Sequence, residues 1–190
     1  MKLIINDKQL EQSKEVTNEF DRQKTYNKFG CTNNYIGALG EILFDKLLDC
    51  ESIEHTHNKL TYSRWGLPPF VINGKTVTVK TTKSAGLWVQ SPKFDFTVYA
   101  QINDDETQLE LKGFVSKNEL LKKMCDKTAN IVKRENRKDY VFNMKDMESI
   151  EDLMYFFKNG KWPKKPKQTK LDLTQIDKSI ERIKGTIEEQ

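Results

Sequence analysis

Gly37-Ala38-Leu39-Gly40-Glu41 and Val71-Ile72-Asn73-Gly74-Lys75-Thr76-Val77-Thr78-Val79-Lys80 anchor the stretch from Asn34 to Lys80 on which the fold turns. The first lies in a segment, Asn33 to Asp49, that reads as a helix. Asn33 or Asn34 can cap it, and Ile36, Leu39, Leu43 and Leu47 recur at helical spacing with Ile42 and Leu48 beside them. That face is made for burial under a sheet. Gly37, Gly40, Glu41 and Phe44 form an adjacent stripe. A glycine inside a helix costs about 1 kcal/mol relative to alanine, so the two point to close approach, of a ligand beside Glu41 or of another element. In the second stretch Asn73-Gly74 is a two-residue hairpin signal, because both residues take positive φ cheaply. It predicts strands over Phe70 to Ile72 and Thr76 to Thr82. Val77 and Val79 point one way, and Thr76, Thr78, Lys80 and Thr82 the other. A lysine in register with threonines predicts either a polar pocket or a face turned to solvent.

Working outward, Leu87 to Gln90, Phe94 to Ile102 and Leu109 to Val115 read as strands, the last with Leu109, Leu111 and Gly113 set against Glu110, Lys112 and Phe114. Residues 50–68 read as loop with an edge strand over Leu60 to Trp65, since Pro68 and Pro69 lack ladder donors. Ser116-Lys117-Asn118-Glu119 matches a capping box and predicts a helix to about Lys127. The highly charged Asp126 to Asp139 reads as loop, and Tyr140-Val141-Phe142 as a short closing strand. Met147 to Lys158 reads as a helix stopped by Gly160. Near the N-terminus, Leu3-Ile4-Ile5 predicts a short strand and Leu10 to Tyr26 a sparsely apolar helix.

The expected organisation is a polar N-terminal extension (1–33), a core domain (34–158), a basic linker (159–170) and a C-terminal amphipathic helix (171–190). The expected class is α/β (α+β), with a mixed central sheet flanked by helices. In the last segment Leu173, Ile176, Ile180, Ile183 and Ile187 recur at alternating spacings of three and four. That seam can dock on its own domain, on another protein, or on a second copy as a homodimer.

At 190 residues the chain suits one domain with an appendage, and 36% apolar against 32% charged residues suits a small core. No apolar run is long enough to cross a bilayer, so no membrane partner is expected. The three widely spaced cysteines, Cys31, Cys50 and Cys125, predict reduced thiols and a cytoplasmic location. His55-Thr56-His57, without a second ligand pair, reads as polar loop rather than a zinc site. The net charge of +4 is mild, but Phe156 to Lys170 holds six lysines and no acid. Such a strip contacts phosphates or, given Pro163 and Pro166, acts as a solvated linker.

Taken together, Gly-x-x-Gly-Glu-x-x-Phe (Gly37 to Phe44), Phe-Val-Ile-Asn-Gly-Lys-x-Val-x-Val-Lys-Thr (Phe70 to Thr81), Asp-Phe-Thr-Val-Tyr-Ala (Asp95 to Ala100) and Gly-Phe-Val-Ser-Lys-x-Glu-Leu (Gly113 to Leu120) resemble the PD-(D/E)xK, or restriction-endonuclease-like, superfamily. The small phage and bacterial members are the most similar, over residues 34–142. The resemblance implies an αβββαβ core acting on nucleic acid, DNA above all. It implies carboxylates that hold magnesium, which lowers the pKa of a bound water, and a lysine that steadies charge on the phosphate.

Position by position, the resemblance assigns catalysis to Glu41 and Lys80 and metal ligation to Glu41 and Asp95. Thr81, Thr82, Lys83, Lys93, Lys161, Lys164 and Lys165 become candidate nucleic-acid contacts. Two acids of the pattern are missing, because Pro69 and Thr78 occupy their places, and neither side chain is a good magnesium ligand. Three readings stay open: catalysis lost and binding kept, as in an inactive nucleic-acid- or protein-binding inhibitory module; an acid supplied from elsewhere, by Glu51, Glu54 or Asp95; or substituted material. The expected function is therefore a magnesium-dependent endonuclease or a DNA-acting derivative of one.

Overall fold

The structure is a computed structural model that describes residues 1–22, 34–58, 69–83, 87–89, 92–126, 130–134, 137–143 and 147–164. Helix α2 (Asn34–Cys50) and the hairpin of β3 (Phe70–Ile72) and β4 (Lys75–Thr82) form as the sequence predicts. Asn73 and Gly74 carry the turn at φ 50° and 71°. Asn73 also donates its side-chain N–H to the carbonyl of Phe157, near the C-terminal end of helix α4 (Ile150–Asn159), where carbonyls lack helical partners.

Among the described residues β1 (Lys2–Ile4), β2 (His55–His57), β6 (Phe96–Ile102) and β7 (Gln108–Ser116) join this hairpin in a six-stranded sheet of order β1-β7-β6-β4-β3-β2. All neighbours are antiparallel except β4 and β6, which run parallel with Val77 opposite Phe96 and Lys80 opposite Tyr99. The crossover between them is not a helix. It passes through β5 (Leu87–Val89), an edge strand of a second, three-stranded sheet completed by β8 (Asn130–Arg134) and β9 (Arg137–Phe142), in the order β5-β9-β8. The chain is thus a mixed α+β protein whose central sheet is flanked by helices.

The core has two parts, one on each face of the large sheet. On one face Ile36, Leu39, Leu43 and Phe44 of α2 meet Val77, Val79, Val98 and Ala100, and Leu153 and Phe157 of α4 extend the layer. On the other, Tyr99 and Val115 pack against Leu87, Val89 and Phe142 of the small sheet and Leu120 of helix α3 (Lys117–Cys125). At about 25 cal/mol per Å² of apolar area, each fully buried Leu or Phe contributes roughly 2 kcal/mol.

Two caps follow from sequence. Ser116 accepts the Glu119 N–H at the start of α3, and Gly160, at φ 67°, closes α4 by donating to Phe156.

Four expectations need correction. The N-terminal residues are part of the fold, because β1 lies at the edge of the sheet beside β7 and helix α1 (Asp7–Arg22) packs on α2. Asp126 to Asp139 is not loop: β8 and β9 pair through it, with Ile131 exposed. Such strands do not need an apolar alternation on both faces. Phe114 lies with Leu109 and Leu111 rather than against them, because the register shifts opposite Tyr99 and Ala100. The 159–170 linker begins folded back, with Trp162 stacked on Phe156 at 4.4 Å. The expected strand over Leu60 to Trp65 and the helix and dimer seam of 171–190 lie outside the described residues.

Helix α2 lies so close to β4 that a Cβ placed on Gly40 would sit 1.8 Å from Thr81 Oγ1 and 2.9 Å from its Cβ. Gly40→Ala is therefore expected to cost about 1–3 kcal/mol in urea unfolding despite its better helix propensity. Thr81→Ala, which removes the closer atom, should restore part of that loss in the double variant. Additive effects in the cycle would show that the two residues do not touch.

Candidate nucleic-acid site

Glu41 follows Gly40, so the close approach of α2 to β4 carries its half-buried carboxylate to the end of that strand. Lys80 lies there. Its pKa is lowered, first by burial and then by the nearby Lys93, while the Glu41 carboxylate acts in the opposite direction. Yet Lys80 keeps an exposed surface. An exposed ammonium whose charge is disfavoured by its surroundings, within reach of a carboxylate and a second lysine, is a functional candidate on physical grounds.

The other candidates are not gathered there. Asp95 caps the opposite end of β4: Thr76 donates both its N–H and its hydroxyl to Asp95 Oδ2 at 2.8 Å, and the Asp95 N–H returns a bond to Thr76 Oγ1 at 2.9 Å. Those bonds, the backbone one foremost, hold its pKa below the ordinary carboxylate range. Four residues of strand separate Thr76 from Lys80, about 13 Å, so Asp95 does not share a metal with Glu41. Thr81 Oγ1 is buried against Gly40 and cannot reach a phosphate. Lys83 is engaged by Glu106 at 2.8 Å, the carboxylate that also accepts from the Tyr35 hydroxyl at 2.6 Å. Its charge ties the end of β4 to the β6–β7 turn and the start of α2. Thr82 lies in register with Gln101 on the sheet face that carries Lys80. Lys161 and Lys164 are exposed on either side of Trp162, which packs on Phe96 at the start of β6. Lys165 lies outside the described residues.

Pro69 and Thr78 are both buried, and Thr78 pairs across with Thr97, also buried. Glu51 faces Lys158 at 3.5 Å on the surface. Among the described residues no group of three histidine, cysteine or acidic side chains is arranged to hold a metal ion. Beside Lys80, Glu41 is the one carboxylate that acts on it among the described residues.

One cluster escaped the sequence reading. His55 and His57 are on strand β2, not in a loop, and both rings turn toward Asp45, one helical turn after Glu41 on α2. The signal was present: residues i and i+2 of a strand share a face. The same alternation is invisible in a strand of three residues bounded by polar ones.

No family model, curated protein or solved structure matches this chain. Among the described residues no helix is long and apolar enough to cross a membrane.

Asp95→Ala is expected to act on stability alone, costing about 1 kcal/mol after allowance for solvent exposure. Because the folded pKa of Asp95 is depressed, its contribution is present above the ordinary pKa of 3.8 and lost as pH falls through the folded value. Urea unfolding at several pH values checks this: the gap between wild type and variant should shrink in acid.

Proposed function

We propose that this chain binds the phosphate backbone of nucleic acid, DNA in the first instance, at Lys80, as a DNA-acting derivative of a nuclease-like protein. The observation that carries the reading is that exposed Lys80, in the second half of β4, is acted on by one carboxylate, Glu41, and by a second lysine, Lys93. Two ammonium groups against one carboxylate leave a local positive excess. An incoming phosphate relieves the repulsion between the lysines and supplies Lys80 with the counter-charge that burial denies it. Exposed Lys161 and Lys164 add contacts that need no base recognition. The single carboxylate supports binding over magnesium-dependent cleavage, and Glu41 then serves to hold Lys80 protonated until a phosphate arrives.

Fluorescence anisotropy with single- and double-stranded DNA and with RNA tests this. Lys80→Ala and Lys93→Ala are each expected to weaken binding about threefold to tenfold near 0.1 M salt and to reduce the slope of log K against log salt by about one. Equal binding by wild type and both variants would remove the reading. Parallel incubation of DNA with magnesium should leave it intact. Cleavage that is lost in Glu41→Gln would instead make the protein an endonuclease.

A further inference from the structure

The His55–Asp45–His57 cluster does not include Lys80 and does not depend on the proposed function. His55 Nδ1 is 2.9 Å from the carbonyl oxygen of Ile53, and its Nε2 is 2.9 Å from Asp45 Oδ1. Both partners are acceptors only. A neutral imidazole carries one N–H and can satisfy one of them; an imidazolium satisfies both. The geometry is therefore that of a charged ring. His57 brings its Nδ1 to 3.0 Å from the same Asp45 oxygen and stacks on Phe70 at 4.4 Å. The side chains of His55, His57 and Asp45 are 8%, 7% and 19% exposed, so water does not readily replace these contacts.

The position gives the cluster a mechanical role. Among the described residues β2 is an edge strand of three residues, paired only with β3. A strand that short holds weakly by its ladder alone. Asp45 belongs to α2, so the contact fastens the edge to the helix that covers the sheet. Among the described residues the charged or titratable groups facing His55 are Asp45 and Asp49 from α2 and His57 from its own strand; β3 brings only Phe70, Val71 and Ile72.

We propose that Asp45, His55 and His57 form a protonation-dependent clasp, engaged while His55 is an imidazolium and released when it loses that proton, which frees edge strand β2 from helix α2. On release one ring nitrogen of His55 faces an acceptor with no hydrogen between them, and a half-buried carboxylate loses its counter-charge.

The direction in pH follows. Burial by itself lowers the His55 pKa, but the Ile53 carbonyl and Asp45 outweigh it, and the net shift is upward from 6.5. The clasp is fully engaged below that ordinary value and is lost as pH rises through the higher folded one. Burial raises the Asp45 pKa, the two histidines outweigh it, and the net shift is downward from 3.8. The Asp45 contribution is present above that value and is lost as pH falls through the folded pKa. The clasp thus works between the two folded values.

Imidazole NMR titration, with amide hydrogen exchange corrected for the intrinsic pH effect, tests the proposal on the full chain. His55 should titrate with a midpoint above 6.5. As pH rises from 6.5 through that midpoint, protection of the β2–β3 pair should fall, by about tenfold for each pH unit that separates the two. The β6–β7 pair should not respond. Asp45→Asn should lower the His55 titration and flatten the β2–β3 response. If that variant does not fold, His55→Gln should show the same flat response. Titration of His55 at or below 6.5, constant β2–β3 protection across it, or a response that persists in His55→Gln would each overturn the clasp.

Discussion

Much of this molecule depends on the contact between Gly40 and Thr81, where helix α2 rests directly on the C-terminal half of β4. A side chain at position 40 would lift the helix off the strand. The apolar stripe of α2 would then meet Val77 and Val79 at the wrong height, and a close-packed interior has little room to absorb the difference. The same contact fixes where the next residue goes. Glu41 reaches the end of β4 because its predecessor has no side chain, and Lys80 lies within its field for that reason. Packing and electrostatics at this end of the sheet therefore share one cause, a missing methyl group.

How much was legible in the chain differs by region. The α2 stripe, the Asn73-Gly74 turn, the Ser116 cap and the Gly160 stop were legible because each is local: a helical period, a pair of positive φ values, a hydroxyl three residues from an N–H, a left-handed residue. β8 and the first half of β9 were not, because their charged residues mask a hairpin pairing that needs only backbone groups, whereas Tyr140 to Phe142 was read as a strand. The partnership of Asp45 with His55 and His57 was hidden for a related reason. Ten residues of chain and a reversal of direction separate the carboxylate from the first ring. For the site, motif order paired Glu41 with Lys80, whose charges do act on one another, though the helix and the lysine side chain lie on opposite faces of the sheet. Asp95 was misplaced because chain order does not reveal at which end of a strand a residue will stand.

The end of β4 near Lys80 and its beginning near Thr76 also divide the work of the charged groups. At the beginning, Asp95 is saturated by Thr76 and stabilises the start of the parallel junction. Just past the end, Lys83 and Glu106 neutralise one another and bind three elements together. Between them Lys80 is acted on by the Glu41 carboxylate of α2 and, in the opposite sense, by Lys93. Fixed pairs surround a group whose charge is incompletely balanced, an arrangement suited to a ligand that carries negative charge.

The parallel pairing of β4 with β6 sets the order in which the sheet can assemble. The β3–β4 and β6–β7 hairpins each close over a few residues and can form early at small entropic cost. Joining them side by side requires the chain to leave the large sheet, and β5, on that excursion, pairs with β9 from much later in the sequence. β1 pairs with β7 more than a hundred residues away, Lys2 opposite Glu110. Two quickly made pieces thus wait on slow, long-range closures. The rate of folding is governed by that search rather than by the strength of any single strand pair.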